Sequence, residues 1–303
     1  MFNDLKGIEK GREEKEKDQK NLEILLDLGD EYIKTKTSHS FRHREDKYKE
    51  HSQFVYDTLK DVDFNANDLK SYIFAKQGLY THETALDETI LLGSYTGCLL
   101  TLLTRKNKEK GKATNFYING NGMRFDYLFH CANEIDKLVI HNFRGDCIGN
   151  AIAIYGGKAN LVAGIDLEGK FIFQNVGAKK GKIKMFLGDE KIQNEKSYMS
   201  LGAQDGEINL AIGRRPNNAR FKPCRNLYAK NIKPYNHRYE GGLITYPYFS
   251  FSKTAKMIYK DLRINEIFAL TDSINNSNAE KTINQLFEIY KSVEPLLENV
   301  QRP

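Results

Sequence analysis

A short parallel β-solenoid with helices at both ends is the fold class this sequence predicts, and three observations carry the prediction. Five short apolar runs begin at Asn115, Leu138, Leu161, Lys184 and Glu207, a constant spacing of 23 residues. Each run is too short to bury itself, but coils stacked about 4.8 Å apart place equivalent positions in columns that share one interior. Phe116, Val139, Val162, Met185 and Ile208 read as one such column, and Phe125, Ile148 and Phe171 as a second, on a second strand of each coil. Glycines punctuate the runs at Gly120, Gly122, Gly145, Gly169 and Gly188, where a sharp corner needs a residue that tolerates positive φ. An antiparallel sheet of short strands would also show Gly turns, but it need not keep a period. The expectation is a mainly β chain with α elements: about five coils over residues 113–234, an N-terminal helical region over 1–112, and a C-terminal aromatic and helical cap over 235–303.

The N-terminal region opens with the charged stretch Glu9 to Asp18 and then acquires Leu22, Leu25, Leu26 and Ile33 at helical spacing, so only its second half can dock. A second helix is expected over Glu45 to Val62, with Tyr48, His51, Val55 and Leu59 on one face. Residues Asp68 to Arg105 read as a helix followed by a strand or first coil, because Gly93, Ser94, Thr96 and Gly97 interrupt the apolar run Ile90 to Leu103. The same interruption makes that run too short to cross a bilayer. Arg105 to Lys112, which has no apolar residue, reads as a solvated loop leading into the solenoid.

Beyond the last run, Asn226 to Ala229, the chain turns Tyr-rich, with Pro234-Tyr235 and Tyr246-Pro247-Tyr248-Phe249. Helices are expected over Lys253 to Asp261 and from Ser277, where Ser277 and Glu280 have capping-box spacing. Ile283, Leu286, Phe287, Tyr290 and Val293 supply the apolar face of the last helix, and Pro295 should end or kink it. Helices at both ends make physical sense, because an open solenoid exposes unpaired edges that template aggregation.

At 303 residues and 40% apolar content the chain can bury a sizeable core, and a net charge of +6 permits an anionic partner without demanding one. Cys98, Cys131, Cys147 and Cys224 are widely spaced in apolar surroundings, which suits buried reduced thiols rather than a zinc site. The expectation is a soluble cytoplasmic protein with no cofactor and no membrane partner.

Three sets of residues are candidate sites. Asp166 and Asp189 lie one 23-residue period apart, so their carboxylates would project from adjacent coils, as cation binding or acid and base chemistry on a polysaccharide requires; acidic residues beside glycine also simply form turns. His39 and His43 have the i, i+4 spacing of a helical metal pair, but Arg42 and Arg44 beside them repel a cation. Arg214, Arg215, Arg220, Phe221, Lys222 and Arg225 combine basic residues with an aromatic, the composition of a groove for phosphates and stacked bases, and also that of a charged end of a solenoid. No phosphate loop is present, and neither His130 with Cys131 nor His141 with Cys147 has the local context of a nucleophile. The sequence therefore points to a non-enzymatic interaction or structural protein that presents a solenoid surface to a macromolecular partner, a protein or macromolecular assembly, with a nucleic acid also possible. An RNA-binding module and a metal-dependent or carbohydrate-active β-helix enzyme are the alternatives.

Overall fold

The computed structural model describes residues 2–36, 45–189, 201–214, 226–229 and 260–299. Its centre is one six-stranded sheet in sequential order: β1 (Asn115–Arg124), β2 (Glu134–Arg144), β3 (Lys158–Ile165), β4 (Lys182–Asp189), β5 (Glu207–Arg214) and β6 (Asn226–Ala229). The first five strands are parallel, and β6 pairs antiparallel with β5. Consecutive parallel strands in sequential order are what a solenoid produces, one strand per coil. The coils are not uniform. Asn115 lies opposite Lys137, Lys158 opposite Lys182 and Lys182 opposite Glu207, offsets of 22, 24 and 25 residues that bracket the 23-residue repeat.

The unequal offsets matter because one residue of slip turns a strand side chain to the other face. Phe116 stacks with Leu138, Val162, Phe186 and Ala211, and this column joins the main core. Val139 stacks instead with Tyr117, Ala163, Leu187 and Ile212 on the outer face of the sheet, in a second apolar cluster. The column expected from the sequence thus mixes the two faces: Phe116 and Val162 point inward, whereas Val139 and Met185 point outward.

The second wall of each coil is not a strand but a run of tight turns in which alternate residues are left-handed. Tyr127, Phe129 and Cys131 in the first coil have φ near +58°, as have Cys147, Ala151 and Ala153 in the next and Phe171, Phe173 and Asn175 in the third. Left-handed non-glycine residues each cost on the order of 1–2 kcal/mol, so something must hold them. Hydrogen bonds between coils do so: Tyr127 N–H donates to Asp146 O, Gly149 to Leu128 O, Cys147 to Lys170 O and Phe173 to Ile148 O, each at 2.8 Å. The inward column is Leu128, Ile148 and Ile172, with Ala132, Ile152 and Val176 four residues on, all fully buried. This corrects the expected Phe125, Ile148 and Phe171 column. At the corner between the walls the expected glycines do stack, since a Cβ on Gly169 (φ +155°) would lie 1.9 Å from Gly145 O. The carboxylate of Asp126, 1% exposed, secures the same corner by accepting from Arg124 Nε and Nη2 and from the backbone N–H groups of His82 and Asp146.

Four helices precede the solenoid: α1 (Phe2–Thr35), α2 (Glu45–Leu59), α3 (Ala66–Lys76) and α4 (Leu86–Glu109). The segment expected to become a strand and then a loop is the long helix α4. Its small residues do not break structure; they form the stripe that meets the first coil. A Cβ on Gly93 would lie 2.2 Å from Tyr127 O, and one on Gly97 2.2 Å from His130 O, so only glycine lets the helix backbone rest on the coil edge. Thr96 and Thr101 then complete the edge. Phe129 N–H donates to Thr96 Oγ1 (3.0 Å) and Asn133 N–H to Thr101 Oγ1 (2.9 Å), while the hydroxyls donate back to Gly93 O and Gly97 O. These amides face away from the second coil and would otherwise lack a partner in the chain, the Phe129 N–H in a buried contact and the Asn133 N–H in a part-buried one. By length and composition α4 could cross a bilayer, but 83% of its apolar window is buried within the chain.

Tyr48, His51, Val55 and Leu59 of α2 are buried as their spacing predicts, and Leu25, Tyr32 and Ile33 of α1 join them around α4. Asn65 caps α3 through a reciprocal pair with Asp68. At the other end α5 (Ile264–Ser273), not foreseen in the sequence, and α6 (Ala279–Asn299) cover the outer face of the sheet. Ile283, Leu286, Phe287, Tyr290 and Val293 are buried as expected, but α6 continues through Pro295, and Ser277 Oγ bonds Asn275 Oδ1 rather than a capping partner. Of the expected helix over Lys253 to Asp261, only Lys260 and Asp261 lie among the described residues, and both are helical.

Candidate functional site

The turn wall of the solenoid carries a groove of about 310 Å³ that runs across four coils. Stacking fixes its chemistry, because the same outward position recurs in each coil. Asn150 and Gln174 follow His130 along one line, and Tyr155, Lys179 and Gln204 form a parallel one. Carboxamides dominate, and each offers both a donor and an acceptor. Lys179 Nζ lies 4.7 Å from the centre of the Tyr155 ring and 3.4 Å from its hydroxyl, and among the described residues no carboxylate pairs with it. Burial pushes the Tyr155 hydroxyl up to about 12, so the ring stays neutral beside the cation.

His130 and Cys131 form the floor. His130 donates Nδ1–H to Asn150 O (3.1 Å), which leaves Nε2 bare to accept from the Cys131 thiol at 3.4 Å. Burial holds the imidazole neutral, with its pKa lowered to about 4, and raises the Cys131 thiol well above its ordinary value. A nucleophilic cysteine needs the thiolate, commonly beside an imidazolium. Here burial favours the neutral form of both groups, and the pair is joined by a hydrogen bond at 3.4 Å. Among the described residues that line the groove, Lys179 is the basic side chain.

A second polar group lies at the far end of the outer sheet face. His141 shares a hydrogen bond with Tyr117 Oη through Nδ1 (2.8 Å), and its Nε2 is 3.5 Å from Asp166 Oδ2. Asp189, 4% exposed, accepts from Thr271 Oγ1 of α5 at 2.7 Å. Asp166 and Asp189 are neighbours through their backbones, Asp166 N–H donating to Asp189 O, but the strand partner of Asp189 is Ile165. The 24-residue offset between these coils therefore puts the two carboxylates at non-equivalent positions, one directed to His141 and the other to α5. His141 sits on the outer sheet face and Cys147 on the turn wall, so the fold does not bring them together. The link between His141 and Asp166 was not read from the sequence; the pair is joined only by stacking.

Among the described residues no group of three or more His, Cys, Asp or Glu gathers as a metal site, and Cys98, Cys131 and Cys147 are buried free thiols. His39 and His43 lie outside the described residues, as do Arg215, Arg220, Phe221, Lys222, Arg225 and Cys224; Arg214 is the last residue of β5. Comparison with known proteins gave no match among family models, curated proteins or solved structures.

Proposed function

We propose that this chain is a non-enzymatic interaction protein whose solenoid presents its turn wall to an extended segment of a partner protein. One observation carries the reading: among the described residues, the first coil, the outer sheet face and the last parallel strand are all met by other parts of the chain, while the turn wall keeps a groove across four coils. Helix α4 lies on the first coil, α5 and α6 cover the outer sheet face, and β6 pairs with the last parallel strand. The turn wall keeps its groove, and the groove suits a polypeptide. Amides repeating from coil to coil can bond successive peptide groups, and Lys179, held over the Tyr155 ring that packs on Tyr48, favours an acidic side chain opposite it. Burial favours neutral forms of His130 and Cys131, which suits recognition rather than a thiolate nucleophile.

The test is photo-crosslinking from the groove. A benzophenone amino acid replaces Gln174 in the full chain, which is irradiated in extract of the native cell, and the attached peptides are identified by mass spectrometry. The expected outcome is one recurrent segment of one protein, lost when Lys179→Glu and Tyr155→Ala are introduced. Absence of any polypeptide adduct, or adducts indifferent to both substitutions, overturns the reading.

A further inference from the structure

We propose that the hollow between the end of α4 and the second and third coils is a binding site for a small phosphorylated ligand. It has a volume of about 600 Å³, within the range of small-molecule sites, and is separate from the groove on the turn wall. Lys108 from the last turn of α4, Lys112 just after it and Lys158 at the start of β3 all line it. Among the described residues none of the three has a carboxylate partner, although ion pairs are common elsewhere in this chain. On the same stretch of α4, Lys110 pairs with Asp63 at 2.8 Å and Lys106 donates to Leu59 O.

The acids that line the hollow are already engaged. Glu134 accepts from Arg105 Nε (3.0 Å) and Nη2 (2.7 Å). Asp136 accepts Thr114 N–H at 3.0 Å and Asn160 Nδ2 at 2.8 Å. Three ammonium groups around one hollow favour a ligand with two or more negative charges close together, and lysine binds phosphate as a point charge. Thr104, Thr114 and Asn160 are placed to meet the hydroxyls of such a ligand, and a Cβ on Gly156 (φ +79°) would meet nothing within 4 Å, so that wall stands clear. A hollow bounded by a helix on one side and two coils on the other fits a compact phosphate ester. A polynucleotide instead needs a continuous basic track.

Isothermal titration of the full chain with inorganic pyrophosphate, at low ionic strength, tests the site. The parent is compared with Lys108→Gln/Lys112→Gln/Lys158→Gln and with the control Lys49→Gln/Lys291→Gln, whose lysines pair with Glu45 and Glu288 elsewhere on the surface. All five lysines are exposed, so both variants fold. The expected result is saturable binding of one pyrophosphate per chain, weakened at least about tenfold in the triple variant and unchanged in the control. No saturable binding to the parent, or equal loss in the control, overturns the site. A second arm uses a single-stranded RNA decamer: if it binds more tightly than pyrophosphate and the triple substitution abolishes that binding, the lysines serve a nucleic acid and the small-ligand site is overturned.

Discussion

Replacing Thr96 and Thr101 by Val removes the two hydroxyls that close the first edge of the solenoid and leaves the helix shape unchanged. The Phe129 N–H loses its acceptor at 3.0 Å in a buried contact, and the Asn133 N–H loses its acceptor at 2.9 Å in a part-buried one. The carbonyls of Gly93 and Gly97 keep their helical amide partners, so the cost falls on the two orphaned donors. Each buried donor left unpaired costs about 1–3 kcal/mol. The sites are five residues apart, about 7.5 Å along the helix, so their effects should add, for a total of about 2–6 kcal/mol. At roughly 2–4 °C per kcal/mol for a chain of this size, the double variant should melt roughly 4–24 °C below the parent. Thr104→Val is the control, because Thr104 Oγ1 donates only to Leu100 O of its own helix at 2.9 Å. Calorimetry gives the melting temperatures, and hydrogen exchange reports whether protection is lost at the Phe129 and Asn133 amides. A double variant that melts within about 1 °C of the parent, or a Thr104→Val change that costs as much as either of the others, would refute the assignment of α4 as an edge cap.

Val162→Asp buries a carboxylate in the solenoid interior and should cost on the order of 4 kcal/mol, seen as a lower denaturation midpoint of the whole chain. Val139→Asp places the charge between the outer sheet face and the C-terminal helices, so limited proteolysis should release α5 and α6 while the solenoid persists; cleavage in the same order in both variants would contradict the two-faced register. Gly169→Ala should be severely destabilising because its Cβ meets backbone at 1.9 Å, whereas Gly156→Ala, with open space around it, should cost only about 1 kcal/mol, and equal melting temperatures would remove the stacked corner. Burial lowers His51 from 6.5 to about 4, so the folded state keeps it neutral while the unfolded chain protonates it; its stabilising contribution is present above about pH 6.5 and is lost as pH falls toward 4, at up to about 1.4 kcal/mol per pH unit. His51→Gln should flatten the acid side of a stability profile measured by urea unfolding, and an unchanged slope would contradict this.

The solenoid was legible because its glycines answer a local demand. Gly145 and Gly169, like Gly164 and Gly188, are spaced by 24 residues, and in the fold Gly169 rests on Gly145 O and Gly164 stands opposite Gly188. Backbone contact excludes a Cβ at Gly169, and the Phe173 and Leu167 side chains crowd one at Gly164, so that spacing records the true register of the central coils. The apolar residues could not. β2 to β4 are buried on both faces, inward by the turn wall and outward by α5 and α6, so the alternation that distinguishes in from out is erased. A 23-residue column through Val139 and Val162 satisfied composition while crossing from one face to the other.

The sequence by itself determined the repeat and the apolar faces of α2 and α6, since each follows from periodicity along one segment, and with the repeat came the need to cover the open edges of a solenoid. The tertiary structure decided what depends on a neighbour. Gly93, Thr96, Gly97 and Thr101 read as breakers until the coil edge they serve is in place. The left-handed residues of the turn wall contain few glycines, and hydrogen bonds from adjacent coils, and from Thr96 of α4 in the case of Phe129, hold them there. Both sites also depend on a neighbour. Lys179 meets Tyr155 across 24 residues because the coils stack, and Lys108 shares a hollow with Lys158 because α4 packs against those coils.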